Sequence, residues 1–387
     1  MDEKVLHKAG QFLTEAKFAY EAAGYEVQTT RVATIPFPEL LGEENIGRLP
    51  VFTGQLDTLA QELKIGYVSL GPAVPEMPSS YAVIPEAIFV SKIVFFGGVM
   101  ADRQRGLNVG AVRACADVIV KCASIAPNGF ANLQFAALAN VEPGTPFLPA
   151  AYHNSDEPAF AIATESADLA VQAFENAKTI EEARGNLIKE IQGHAKRLTD
   201  VAKSLKCKFG GIDFSLAPFP SEAQSLGTAF ERLGIPKIGL HGSLLAAAIL
   251  TEAIARADFL QTGFSGLMMP VMEDTTLAKR AAEGTLTIKD ILLYSAVCGT
   301  GLDTVPLPGD TTSELLVPLL LDLCALALRL DKPLTARLMP IPGKKAGEET
   351  SFDFAFFAPS RVMALDSAGL TNFLAGSETF HLSPRRQ

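Results

Sequence analysis

Along the chain, short continuous apolar runs alternate with longer stretches in which apolar residues recur every three or four positions. The runs fall at residues 29–35, 67–70, 93–99, 132–139, 159–164, 211–217, 266–271, 304–307, 334–341 and 352–357, ten in all. Short apolar runs bounded by Gly, Pro or polar residues read as strands buried on both faces. Between them, residues 5–23, 54–63, 81–92, 108–126, 166–206, 221–233, 243–258 and 313–330 carry helical periodicity. Strands of this kind interleaved with helices predict an α/β fold with a mainly parallel sheet covered by helices. Ten strands crowd an open sheet, so closure into a barrel with its helices outside is favoured. No low-complexity segment, polar linker or internal repeat divides the chain, and one domain over residues 1–387 is expected.

Seven of these runs meet a proline, as in Ile35-Pro36, Gly71-Pro72, Ala217-Pro218, Met269-Pro270, Leu307-Pro308, Ile341-Pro342 and Ala358-Pro359. Proline cannot donate to a ladder and stiffens the loop it opens. It either simply ends each strand or shapes binding loops, which in parallel α/β folds gather at the carboxyl ends of the strands.

The densest signal lies between Cys298 and Lys345. A strand enters Gly309-Asp310-Thr311-Thr312, which opens an apolar helix, and the next strand ends in Pro340-Ile341-Pro342-Gly343-Lys344-Lys345. If the strands are parallel, the two turns lie side by side. Thr312 or Ser313 is placed to cap the helix, with Glu314 at its positive end. The start is either a plain capped helix or an anion site completed by Lys344, since open N–H groups attract phosphate and carboxylate. The spacing is not that of a P-loop. Pro318 points to a helix that begins closer to it. His241-Gly242-Ser243 is a weaker helix start of the same kind.

Polar residues within apolar strands are costly to bury, and Arg31, Asp213, Ser215, Asp303 and Arg337 stand out on that ground. Asp213 and Ser215 share a face. Arg31 and Arg337 either pair with Asp213 or Asp303 as structural ions or grip a ligand carboxylate or phosphate bidentately. Asp213, Asp303 and His153 are the acid–base candidates. His153 alternatively joins Asp156 on a metal or sits in a surface loop bonded to backbone. Cys298 is a candidate nucleophile in need of a nearby base. Asp303 and Asp310 are oxygen ligands suited to a divalent cation, and no cofactor is specified.

Composition narrows the class. Of 387 residues 48% are hydrophobic and 20% charged, enough for a large core without metal or disulfide. A net charge of −10 argues against nucleic acid as a partner. The longest apolar runs are interrupted by Glu252 and Asp322, which argues against a membrane span. A charged start without an apolar signal core and five scattered cysteines point to the cytoplasm.

The segments Ala126-Pro127-Asn128-Gly129-Phe130-Ala131-Asn132, Pro146-Phe147-Leu148-Pro149-Ala150-Ala151-Tyr152-His153 and Cys298 to Lys345 resemble domain-of-unknown-function family 711. The resemblance covers nearly the whole chain and is most specific at Asp303, Gly309-Asp310-Thr311 and Arg337 to Lys344. It implies a ten-stranded α/β barrel related to pyruvate formate-lyase and ribonucleotide reductase, and a homodimer. It implies no activity from which catalytic residues could be carried over. Glycyl-radical enzymes of that fold keep a glycine in a C-terminal loop, whereas Arg361-Val362-Met363-Ala364 has none, and no adjacent cysteine pair occurs. The sequence therefore reads as a non-radical enzyme acting on a small anionic metabolite at the carboxyl ends of the strands. The alternative is a non-catalytic metabolite-binding or regulatory dimer on the same scaffold. In either case the partner is a small-molecule ligand.

Overall fold

The computed structural model describes residues 3–175, 177–297 and 300–385. Its strands are β1 Arg31–Pro36, β2 Tyr67–Ala73, β3 Val94–Asp102, β4 Gly106–Asn108, β5 Phe135–Ala139, β6 Ala159–Glu165, β7 Lys208–Ala217, β8 Gly301–Pro308, β9 Leu334–Ile341 and β10 Thr379–Phe380. An eight-stranded sheet has the backbone order β1-β2-β3-β5-β9-β8, with β4 paired to β3 and β10 to β4. β6 and β7 form a separate parallel pair. The architecture is thus mixed α/β with parallel pairing dominant.

One ladder breaks the parallel order. β5 and β9 are antiparallel, with Ala137 facing Ala336. β1, β2, β3 and β5 therefore run one way, and β8 and β9 run the other. Parallel bridges Leu216–Leu267 and Pro270–Asp303 tie β7 to β8 through residues 267–270, so β6 and β7 run with β8. This corrects the expectation of a single carboxyl-end face: the strand ends point to two opposite poles.

The period of two along each strand explains why the runs are apolar throughout. In β5, Phe135, Ala137 and Ala139 join the main core under the helices. Ala136 and Leu138 face the other way, into a second cluster with Val141, Ala150, Ala217, Phe264 and Met268. The connection from β5 to β6 supplies the filling of this inner layer, because Phe147 and Tyr152 pack there as well. It is fixed by polar bonds: Ser69 Oγ donates to the Ala151 carbonyl at 2.7 Å, and the Tyr152 hydroxyl donates to the Val141 carbonyl at 2.7 Å. The His153 N–H donates to the Thr34 carbonyl at 3.1 Å.

Several expected elements differ. Residues 266–271 carry bridges but no ladder, since the Gly266 N–H goes to the Ser215 hydroxyl and Pro270 has no N–H. Residues 352–357 are not a strand. Their alternating phenylalanines cluster on Phe130, with ring centroids of Phe352, Phe354 and Phe357 5.1–6.1 Å away. The helix Ser313–Leu330 runs through Pro318 and does not begin near it. Pro318 removes one bond, to the Glu314 carbonyl, and buried Leu316, Val317, Leu320 and Leu323 hold the helix in place. The expected helix 166–206 is two helices, Ala167–Glu175 and Ile180–Ala202, the second capped by the Thr179 hydroxyl on the Glu182 N–H. Among the described residues no helix is long and apolar enough to cross a membrane.

Replacing Ser69 by Ala strands the buried Ala151 carbonyl, and chemical denaturation should register a loss of about 1–2 kcal/mol. A change near zero would mean that the connection is not held at this point.

Candidate functional site

Arg31, Asp303 and Arg337 occupy inward positions of β1, β8 and β9, out of phase with the core-facing Val32, Leu302, Ala336 and Leu338. They line one cavity of about 110 Å³ with Glu165, Glu273, Thr300 and Thr335. The rest of its wall is largely apolar, including Ala136, Ala150, Phe147, Phe264 and Met268.

The two arginines differ in their partners. Arg337 Nε donates to Asp303 Oδ1 at 2.5 Å and Nη2 to Glu273 Oε1 at 2.7 Å. With 12% of the Arg337 side chain, 15% of Asp303 and 25% of Glu273 exposed, this is a largely dry triad. Burial works against the Arg337 cation, but Asp303 and Glu273 outweigh it and raise its pKa. Burial pushes the Glu273 carboxyl up to about 7, against the pull of Arg337 and with the Asp303 charge adding to the rise.

Arg31 has no such counterion. Its Nε donates to Thr29 Oγ1 at 2.7 Å, and its guanidinium lies 5.8 Å from the Tyr67 ring centroid. Among the described residues, neither terminal nitrogen donates to a protein group. Burial depresses its pKa, opposed by the more distant charges of Glu165 and Glu273. Glu165 stands at the rim, both oxygens held by Gln28 Nε2 at 2.8 and 2.9 Å. An enclosed cation without an anion partner is costly, and such a site is commonly completed by a ligand.

The remaining sequence candidates lie elsewhere. Asp213 is fully buried and accepts from Ser215 Oγ at 2.6 Å, the Phe264 N–H at 2.7 Å and the Ser265 N–H at 2.9 Å. Burial raises its carboxyl to about 6, and those three donors pull the other way. Asp213 and Ser215 thus latch the turn that carries Phe264 and do not line the cavity. His153 Nδ1 accepts from the Ser155 N–H at 3.3 Å, the backbone-bonded loop arrangement, also outside the cavity.

The Gly309–Thr312 turn and Lys344 do lie side by side, as the Gly309 N–H donates to the Lys344 carbonyl at 2.9 Å. A Cβ at 309 would overlap the Ile341 carbonyl oxygen, which is why glycine stands there. Yet Gly309, Asp310, Thr311, Thr312 and Lys344 are absent from the cavity wall. The helix N-terminus is served from within: the Glu314 carboxylate takes its own N–H and the Thr312 hydroxyl, which lowers its pKa. Ser313 Oγ donates to Asp117 at 2.5 Å and does not cap. Ser243 likewise spends its hydroxyl on the Leu240 carbonyl at 2.8 Å.

Asp303 and Asp310 cannot share an ion, because the strand from 303 to 308 alone extends about 16 Å. No cluster of three metal-ligating side chains occurs among the described residues. Cys298 lies outside the described residues.

Glu165 and Glu273 were not singled out from the sequence. Each follows its apolar run by one or two residues, so the signal was the first acid past a strand. In Glu273-Asp274, Asp274 is consumed as the cap of Thr275–Ala282, leaving Glu273 for the cavity.

Arg337→Gln leaves two carboxylates without their cation and should cost about 3–5 kcal/mol in equilibrium unfolding. Asp213→Ala should cost about 2–3 kcal/mol through the freed N–H groups of Phe264 and Ser265. Near-wild-type stability in either variant would refute the corresponding role.

Comparison with known proteins adds the family. A UPF0210 protein of Pyrobaculum aerophilum is 35% identical over 265 residues, 64% of this chain and 57% of that protein. A UPF0210 protein of Syntrophobacter fumaroxidans is 28% identical over 376 residues, 91% of this chain and 82% of its own. The UPF0210 protein of Methanocaldococcus jannaschii is 27% identical over 375 residues, covering 90% and 82%. The family model described as Uncharacterised ACR (DUF711) matches residues 1–358, and the chain belongs to that family.

Proposed function

We propose that this protein is an enzyme acting on a small carboxylate-bearing metabolite in the cavity between the inner strand faces. Arg31 binds the anion, and the Arg337–Asp303–Glu273 triad forms the reactive wall. The observation that carries this reading is the Arg31 guanidinium, enclosed and without a counterion, beside an ion triad already satisfied. Glu273 is the proton carrier, because a carboxyl near pKa 7 is populated in both forms at neutral pH. This places the chemistry inside the fold and not at a shared carboxyl-end face. A glycyl radical plays no part, since Arg361-Val362-Met363-Ala364 supplies no glycine.

The same reading includes closure of the strands into a ring, with β1, β2, β3 and β5 running one way and β9, β8, residues 267–270, β7 and β6 the other. In its favour, residues 267–270 bridge β7 to β8, and β5 and β7 both contribute to the inner cluster. Gln28, ahead of β1, meets Glu165 at the end of β6 across the remaining seam.

The test is thermal. Small carboxylates at about a hundred times Kd should stabilise the protein by about 2.7 kcal/mol, seen as a rise in Tm. Arg31→Gln should remove that rise while leaving the unliganded Tm unchanged or higher, since a half-buried cation without an ion-pair partner is lost. Turnover of a bound carboxylate marks an enzyme, and retention alone marks the non-catalytic alternative. No shift with any carboxylate, or an undiminished shift in the variant, would sink the assignment.

A further inference from the structure

Two complementary groups in the cavity are unmatched. Arg31 offers terminal donors that meet no acceptor among the described residues. Glu273 spends Oε1 on Arg337, and its Oε2 accepts from no described group. The two do not pair with each other, although each lies in the other's field. Charge counting then limits the ligand. Arg31 and Arg337 balance Glu273 and Asp303 when all are ionised, and Glu165 at the rim adds one negative charge. A bare carboxylate would satisfy Arg31 but leave the cavity with excess negative charge beside Glu273. A small ligand carrying both signs satisfies both groups and leaves the total unchanged.

We propose that the ligand is zwitterionic, a small α-amino acid whose carboxylate meets Arg31 and whose ammonium meets Glu273. This rests on the carboxylate reading of Arg31 given above and names its substrate class. The space of about 110 Å³ is well below what a drug-sized ligand needs and suits a small metabolite. A short apolar side chain is accommodated by Ala136, Ala150, Phe264 and Met268.

The two ligand classes move protons in opposite directions. Glu273 is faced by Arg337 from β9, Asp303 from β8, Glu165 from β6 and Arg31 from β1. An added ammonium favours its ionised form, so binding releases a proton and tightens as pH rises through neutrality. An added carboxylate alone favours the protonated form, so binding takes up a proton and weakens over the same range.

The experiment is isothermal titration of the full chain with L-alanine, propionate and ethylammonium, near pH 7, in two buffers of different ionisation enthalpy. L-alanine should bind at least about tenfold tighter than propionate, with proton release, and ethylammonium should not bind. Glu273→Gln retains an acceptor for Arg337 but loses the charge, so the preference for alanine should collapse. Propionate binding as tightly as alanine, or with proton uptake, overturns the zwitterion while leaving Arg31 as an anion site. Binding by neither overturns both.

Discussion

At the junction of β5 and β9, Ala137 faces Ala336 across an antiparallel ladder that joins two sets of otherwise parallel strands. Small residues at this seam let the strands meet while each keeps one face on the helical core. The reversal decides what can come together. Arg31 begins its strand, Glu165 ends its own, and Arg337 lies midway along another, yet all three line one cavity. In a uniformly parallel ring, residues at such different heights would not meet.

Within that cavity, two arginines of the same type do different work. Arg337 is saturated by Asp303 and Glu273, and the three fix one another's geometry. Arg31 is oriented by the Thr29 hydroxyl and the face of the Tyr67 ring, and neither is a carboxylate partner. An oriented but unneutralised cation is a poor use of burial energy in a purely structural role, because desolvation is not repaid. Function commonly retains such groups at the expense of stability.

Much of the fold was legible because strands buried on both faces leave continuous apolar runs. Those at 29–35, 67–70, 93–99, 159–164 and 334–341 correspond to β1, β2, β3, β6 and β9. Parallel pairing was legible from runs buried on both faces, but the reversal between β5 and β9 was not, since nothing in the two runs marks where an antiparallel ladder replaces a parallel one. Residues 352–357 misled because alternating phenylalanines satisfy a strand pattern and an aromatic cluster equally well. At the site, Arg31, Asp303 and Arg337 announced themselves as charges within apolar strands. Asp213 did so too, but its carboxylate serves backbone N–H groups of a neighbouring turn, a role invisible without tertiary contacts.

The passage from β5 to β6 occupies the space between the two inner faces, with Phe147, Ala150 and Tyr152 packed there. A connector used as filler is constrained by volume rather than by reach. Surface loops tolerate added residues at small entropic cost, but here each extra side chain must displace an existing one or swell the interior. Divergence in length along this fold should therefore accumulate in its outer loops, and the inner passage should keep a nearly constant bulk even where its residues change.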